Sequence, residues 1–175
     1  MLHGIRTTNL AVQNETPTDL LVGCHDRIRH FTSVVRKLAH AEGSPETEIS
    51  AAAESAYRYF TISLPLHEAD EEQSVRPRLL EKGSGEVRAA VEAMTHQHQA
   101  IDDLLERMLP LLTLLSNHPA KLPEAHAELC GLSKALDEVF AAHLELEEKV
   151  LFPAIPAESQ NEMLREMKQR RKQGQ

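Results

Sequence analysis

Two stretches of this chain share the pattern His-x3-Glu-Glu-x4-Pro. They are His67-Glu-Ala-Asp-Glu71-Glu72-Gln-Ser-Val-Arg-Pro77 and His143-Leu-Glu-Leu-Glu147-Glu148-Lys-Val-Leu-Phe-Pro153. On a helix, residues four apart lie one above the other, so each His and its Glu point the same way. Both pairs also fall on the apolar face of their segments, where Leu or Val is expected. A buried, unpaired carboxylate costs several kcal/mol or more. Two matched pairs at core positions call for a common explanation: a polar seam of buried hydrogen bonds is one, and a shared metal site is the one the chain favours.

The rest of the chain supplies the helices. Ala, Leu, Glu and Arg are abundant, Val and Ile are few, and there is no Trp. That composition favours helix over sheet. Thr16-Pro17-Thr18-Asp19 reads as a helix start, followed by Leu21, His25, Ile28, Thr32, Val35 and Leu38 in steps of three and four. Gly43 closes that segment, and Ser44-Pro45-Glu46 opens a second by the same device. Its face runs Ile49, Ala52/Ala53, Ala56, Phe60, Ser63, His67, Glu71. Pro65 predicts a kink, and the helix is expected to end between Ser74 and Leu80.

The third segment has the clearest seam: Val87, Val91, Met94, His98, Ile101, Leu105, Met108, Leu112, Leu115, with Pro110 expected to bend it. The fourth starts near Pro123 with Leu129, Leu132, Leu136, Val139, His143, Glu147 and Val150, and stops at Pro153 and Pro156. Ser159-Gln-Asn-Glu162 reads as a capping box for a short terminal helix, whose basic residues 168–172 complement the helix dipole. The fold expected is all-α, an up-down-up-down four-helix bundle with a short C-terminal helix. Residues 1–15 form an arm, 16–155 the bundle, and 156–175 the terminal helix and tail.

Six polar residues interrupt the seams: His25, His67, Glu71, His98, His143 and Glu147. Each half of the chain supplies one lone His and one His-x3-Glu. Four imidazoles and two carboxylates suit two first-row ions, with the carboxylates bridging and two His on each ion. Positions remain for a bridging oxo or hydroxo group and for an external ligand. Iron fits this mixed nitrogen and oxygen set, and zinc and manganese share it. A zinc-hydrolase His-Glu-x2-His is absent, as is the Glu-x2-His spacing of ferritin-type centres.

Glu68 and Asp102 are candidates for accepting imidazole N–H groups from outside the donor set, with Glu72 and Glu148 in the same role or facing solvent. His3, His30, His40, His96, His118 and His126 are read as surface residues. Cys24 and Cys130 make no disulfide framework and are read as buried or idle thiols in a reducing compartment.

A net charge of −8 disfavours a nucleic-acid partner. No run approaches the ~18 apolar residues of a membrane span, and no leader pattern opens the chain, so a cytoplasmic protein is expected.

Over about residues 18–155 the chain resembles the hemerythrin-like (HHE cation-binding) family. The lone His25 and His98, His67-x3-Glu71, and His143-x3-Glu147 with Glu148 and Phe152-Pro153 carry the resemblance. It implies a four-helix bundle holding a non-haem di-iron centre that binds O2, NO or peroxide. Oxygen-carrying members have two His a turn apart on the third helix and an aspartate on the fourth. This chain has only His98 and a Glu there, and so looks more like the bacterial hemerythrin-like domains. The expectation is a protein for ligand binding, sensing, scavenging or iron handling. An enzyme acting on peroxide or NO is the second reading, and a metal-free interaction bundle the third.

Overall fold

Thr16 begins the first helix by a reciprocal cap. Its hydroxyl accepts from the Asp19 amide, and the Asp19 carboxylate accepts from the Thr16 amide at 2.9 Å. The computed structural model describes residues 15–173, so most of the expected arm, and His3 within it, lies outside the described residues. Helix α1 is Pro17–Ala39. Helix α2 covers residues 46–82, built from Glu46–Arg58, a π turn at Tyr59–Ser63, Leu64–Asp70, a second π turn at Glu71–Val75, and Arg76–Lys82. Helix α3 is Gly85–Asn117. Helix α4 covers residues 122–151, Leu122–Leu146 and a π turn at Glu147–Leu151. Helix α5 is Gln160–Gln173. No strand occurs among the described residues.

Each long helix packs on the next, and α4 returns to α1, which is the ring of an up-down-up-down four-helix bundle. The turn after α1 places Gly43 at φ +83°, a conformation open to glycine. Pro45, not Ser44, caps the start of α2, with no side-chain bond. At the end of α2, a Cβ on Gly83 would lie 2.3 Å from the Leu79 carbonyl, so only glycine fits.

The prolines behave differently from the sequence expectation. The helix is not broken at Pro65, which follows a π turn, and α2 runs past Pro77 to Lys82. Proline lacks an N–H, and its ring needs clearance from the carbonyl four residues back. Each of the three π turns ends two residues before a proline (Pro65, Pro77, Pro153), so the widened turn holds that carbonyl; the helix continues past Pro65 and Pro77, while α4 gives way to a 3-10 turn at Phe152–Ala154. Pro110 sits inside an unbroken α3; it and Glu106, whose carbonyl loses a donor, are both exposed to water. The π turns also shift the seam by one residue. Leu64 is buried where Ser63 was expected, and Leu151 where Val150 was; on α4, Phe140 takes the place of Val139.

The apolar core comes in two blocks. One contains Ile28, Leu64, Ile101, Phe140 and Leu144 and extends through Leu112 to Leu122. The other contains Leu21, Val75, Met94, Leu151 and Phe152, and receives Met163 and Met167 of α5. The six polar seam residues fall between them on every helix.

Helix α5 is held by more than those two methionines. Asp70, fully buried, pairs with Arg170 and with Arg171 at 2.7 Å. Arg78 reaches Glu162 at 3.0 Å and Glu166 at 2.9 Å, and the Ser74 hydroxyl donates to Glu166 at 2.7 Å. The basic end of α5 is thus anchored to a buried acid rather than only complementing its dipole. The Ser159 hydroxyl donates to the Pro156 carbonyl instead of forming the expected box. Asp70→Ala should cost about 1.5–3 kcal/mol, the range for hydrogen bonds to charged groups. The about 3–5 kcal/mol of a fully buried pair does not apply, because both arginines can swing to solvent. A denaturant titration reads this as a lower midpoint.

Candidate metal centre

All six seam residues converge on one buried layer. His25, His67 and His143 are at most 2 % exposed, His98 is 7 %, and Glu71 and Glu147 are fully buried. Glu71 has one oxygen 2.8 Å from His67 Nε2 and the other 3.1 Å from His98 Nε2. Glu147 repeats the arrangement, with one oxygen 3.0 Å from His25 Nε2 and the other 3.4 Å from His143 Nε2.

Two four-residue groups result, His25/His67/Glu71/Glu147 and His98/His143/Glu71/Glu147, each with donor atoms within 4.8 Å of one another. Both carboxylates belong to both groups. Donors about 2.1 Å from a shared ion and at right angles lie about 3.0 Å apart, which is the spacing found.

Bond directions sharpen the point. His25 Nε2, both ring nitrogens of His67, Glu71 Oε1 and both oxygens of Glu147 are buried without a hydrogen-bond partner. They sit at close range yet are not aligned on one another, so their lone pairs face shared space. Native cores do not leave so many buried polar atoms unsatisfied in one place. The donor set fits cations.

The titration behaviour agrees. Burial drives the Glu147 carboxyl well above the usual range, and neighbouring Glu71 adds to it. Burial pushes Glu71 the same way, but His67 beside it outweighs this and holds it well below. Burial lowers His67, yet Glu71 and the Cys24 thiol lift it well above an ordinary histidine. Burial also lowers His25, and takes His143 down to about 3, leaving that ring a neutral donor. Without cations, protons must take over part of the charge balance in this layer.

Around it a second set of groups fixes the rings. The Glu148 carboxylate is 2.8 Å from His25 Nδ1 and is braced by Arg29 at 2.7 Å. Glu72 is 3.3 Å from His98 Nδ1, and the Gln97 carbonyl oxygen 3.2 Å from His143 Nδ1. In each Glu-Glu pair, then, the first residue faces both groups and the second orients a lone His from another helix. Phe152 stacks on the His25 ring, with centroids 5.3 Å apart.

Of the other candidates, Glu68 lies 3.9 Å from His98 Nδ1, beyond hydrogen bonding, while Asp102 and His96 are exposed. His30, His40 and His118 are exposed as well, but His126 is half-buried. Sequence reasoning missed Gln97, Asp70 and the arginine partners of Cys24. Gln97 directly precedes His98, and that adjacency is its only trace in the sequence. Cys24 is buried, as read from sequence, and its sulfur accepts from Arg27 at 3.1 Å and Arg171 at 3.4 Å. Burial raises that thiol, but His67, Arg27 and Arg171 together lower it on balance.

Partners of this outer kind typically carry about 10–100-fold in metal affinity. Glu148→Ala should weaken metal binding by that factor while the fold persists, read by competition with a chelator of known affinity.

No helix among the described residues is long and apolar enough to cross a membrane. A family model described as the hemerythrin HHE cation binding domain matches residues 16–155. No curated protein matches the chain.

Proposed function

The chain belongs to the hemerythrin HHE cation-binding domain family, and from that premise we propose that it holds two iron ions and binds O2, NO or peroxide at them. The observation that carries the reading is that Glu71 and Glu147 each offer one oxygen to each histidine pair. His25 and His67 would hold one ion and His98 and His143 the other, with both carboxylates shared. A single-ion site needs no such sharing. The nitrogen and oxygen donors, with no thiolate among them, suit iron.

The ions would supply Lewis-acid and one-electron redox chemistry toward a small ligand. The protein's part is to keep the donors fixed and the layer dry. Glu148, Glu72 and Gln97 hold three of the rings in place. Leu21, Met94 and Leu151 on one side and Ile28, Ile101 and Leu144 on the other enclose the layer. Only a ligand of a few atoms suits such surroundings. A cytoplasmic setting belongs to the same proposal and rests on the two free cysteines.

The test is metal analysis of protein purified after growth with iron, with absorption spectra before and after O2 and azide. Bound iron and a ligand-dependent band in the visible or near ultraviolet support the reading. Fully folded, colourless protein that takes up no iron refutes it in favour of a metal-free bundle.

A further inference from the structure

At the opposite end of the bundle, about 22 Å along α1 from His25 at 1.5 Å per residue, three residues read from sequence as surface or idle meet. His126 and Cys130 lie one turn apart on α4 and face α1. His40 directly follows the last residue of α1. Their donor atoms lie within 4.8 Å of one another.

The hydrogen bonding of His126 sets its chemistry. Its Nδ1 is 2.7 Å from the Ala39 carbonyl oxygen. A carbonyl only accepts, so Nδ1 carries the proton and Nε2 presents its lone pair. Metal-bound histidines are commonly fixed in this way, by donating the other ring N–H to a backbone carbonyl. Cys130 Sγ is 3.8 Å from each ring nitrogen of His126 and 4.0 Å from His40 Nε2. In a tetrahedral zinc site, bonds of about 2.3 Å to sulfur and 2.0–2.1 Å to nitrogen put those atoms about 3.6 Å apart. Rotation of the exposed His40 and half-buried Cys130 side chains covers the difference, with the His126 ring held in place.

The surroundings favour a cation. The site sits at the C-terminal end of α1, where the carbonyl ends carry partial negative charge. Glu42 lies 3.9 Å from His126 Nδ1 on an exposed side chain and can turn toward a fourth position. His40 is exposed and Cys130 is half-buried, so an ion has an open path. The donor set also differs from that of the buried layer, since one thiolate and two imidazoles suit zinc.

We propose that His40, His126 and Cys130 form a second metal site, which binds one zinc ion with a fourth position open to Glu42 or water. The site does not depend on the iron reading of the buried layer. The experiment uses the full chain, iron-loaded, dialysed against zinc with both metals counted. In parallel, the alkylation rates of Cys130 and Cys24 are followed by peptide mass, with buried Cys24 as the internal control.

The expected result is one zinc per chain taken up without loss of iron, and Cys130 alkylation slowed by zinc while Cys24 is unaffected. Cys130→Ser should weaken zinc binding by more than the about 100-fold that loss of an outer partner can cost. His40→Ala changes only an exposed side chain, so the fold survives; it should show the same loss. His98→Ala should keep the zinc. Zinc uptake that is absent, that only displaces iron, or that is unchanged in both Cys130→Ser and His40→Ala overturns the proposal.

Discussion

Glu71→Ala should empty the buried layer, whereas His98→Ala should lose one ion of two. Glu71 belongs to both four-residue groups and His98 to one, so the two substitutions are not equivalent. Removing the shared carboxylate takes a donor and a negative charge from both positions at once. Removing His98 leaves His25, His67 and both carboxylates in place. His96→Ala, on the exposed face two residues away, should change nothing. Iron per chain, measured on protein verified as folded by circular dichroism, separates the three cases. Glu71→Ala retaining both ions would show that the carboxylates do not bridge. Metal loss in His96→Ala but not His98→Ala would refute the register of α3.

Stripping the metal should produce the largest change in stability. An ion that binds only the folded chain stabilises it by about 4 kcal/mol when free ion is a thousandfold above Kd. For a domain of this size each kcal/mol is worth about 2–4 °C. Two ions therefore amount to roughly 15–30 °C between loaded and chelated protein.

The gap should depend on pH with a definite sign. Burial lowers His67 and His98, but Glu71 outweighs it and lifts both above the ordinary value. Proton competition for those two rings thus begins above about pH 6.5 as pH falls. His143 stays neutral down to about 3 and does not contribute. A raised folded-state histidine also stabilises the metal-free form below its unfolded pKa, and that contribution fades as pH rises through the folded pKa. Acidification weakens the loaded form and strengthens the empty one, so the gap closes from both sides. Melting curves with and without chelator, taken in steps from pH 8 to 5, test this. A gap that is constant with pH, or absent, contradicts it.

The sequence made the bundle and the six convergent residues legible because both depend on regular spacing. A seam of threes and fours on α1 and α3 is enough to predict which faces are buried, and polar intruders stand out against Leu and Ile. The misplaced residues at the π turns have one physical origin. Ala56, Phe60 and Leu64, then His67, Glu71, Val75 and Leu79, then His143, Glu147 and Leu151, advance by fours alone. Such runs drift off the face of a helix with 3.6 residues per turn but stay on it where the turn is wider. Reading strict α periodicity therefore selected Ser63 and Val150 instead of Leu64 and Leu151.

Asp70, the Arg171 partner of Cys24 and the His40–His126–Cys130 group were hidden for another reason. Each depends on which helices become neighbours, and a residue type without a repeat gives no hint of that. The basic end of α5 looked like ordinary dipole compensation because its partner acid lies a hundred residues earlier.

The π turns bear on how the length of this protein can vary. A π turn is a helix carrying one residue more than its length requires. Removing the exposed Gln73 from Glu71–Val75 would return that turn to α geometry and leave Arg76–Lys82 in phase with the bundle. In most buried helices a single deletion rotates everything downstream by about 100°. Here it would re-aim one carboxylate while both apolar blocks kept their contacts. Single-residue insertions and deletions, ordinarily confined to loops, thus have a permitted place inside the two helices that carry the shared carboxylates.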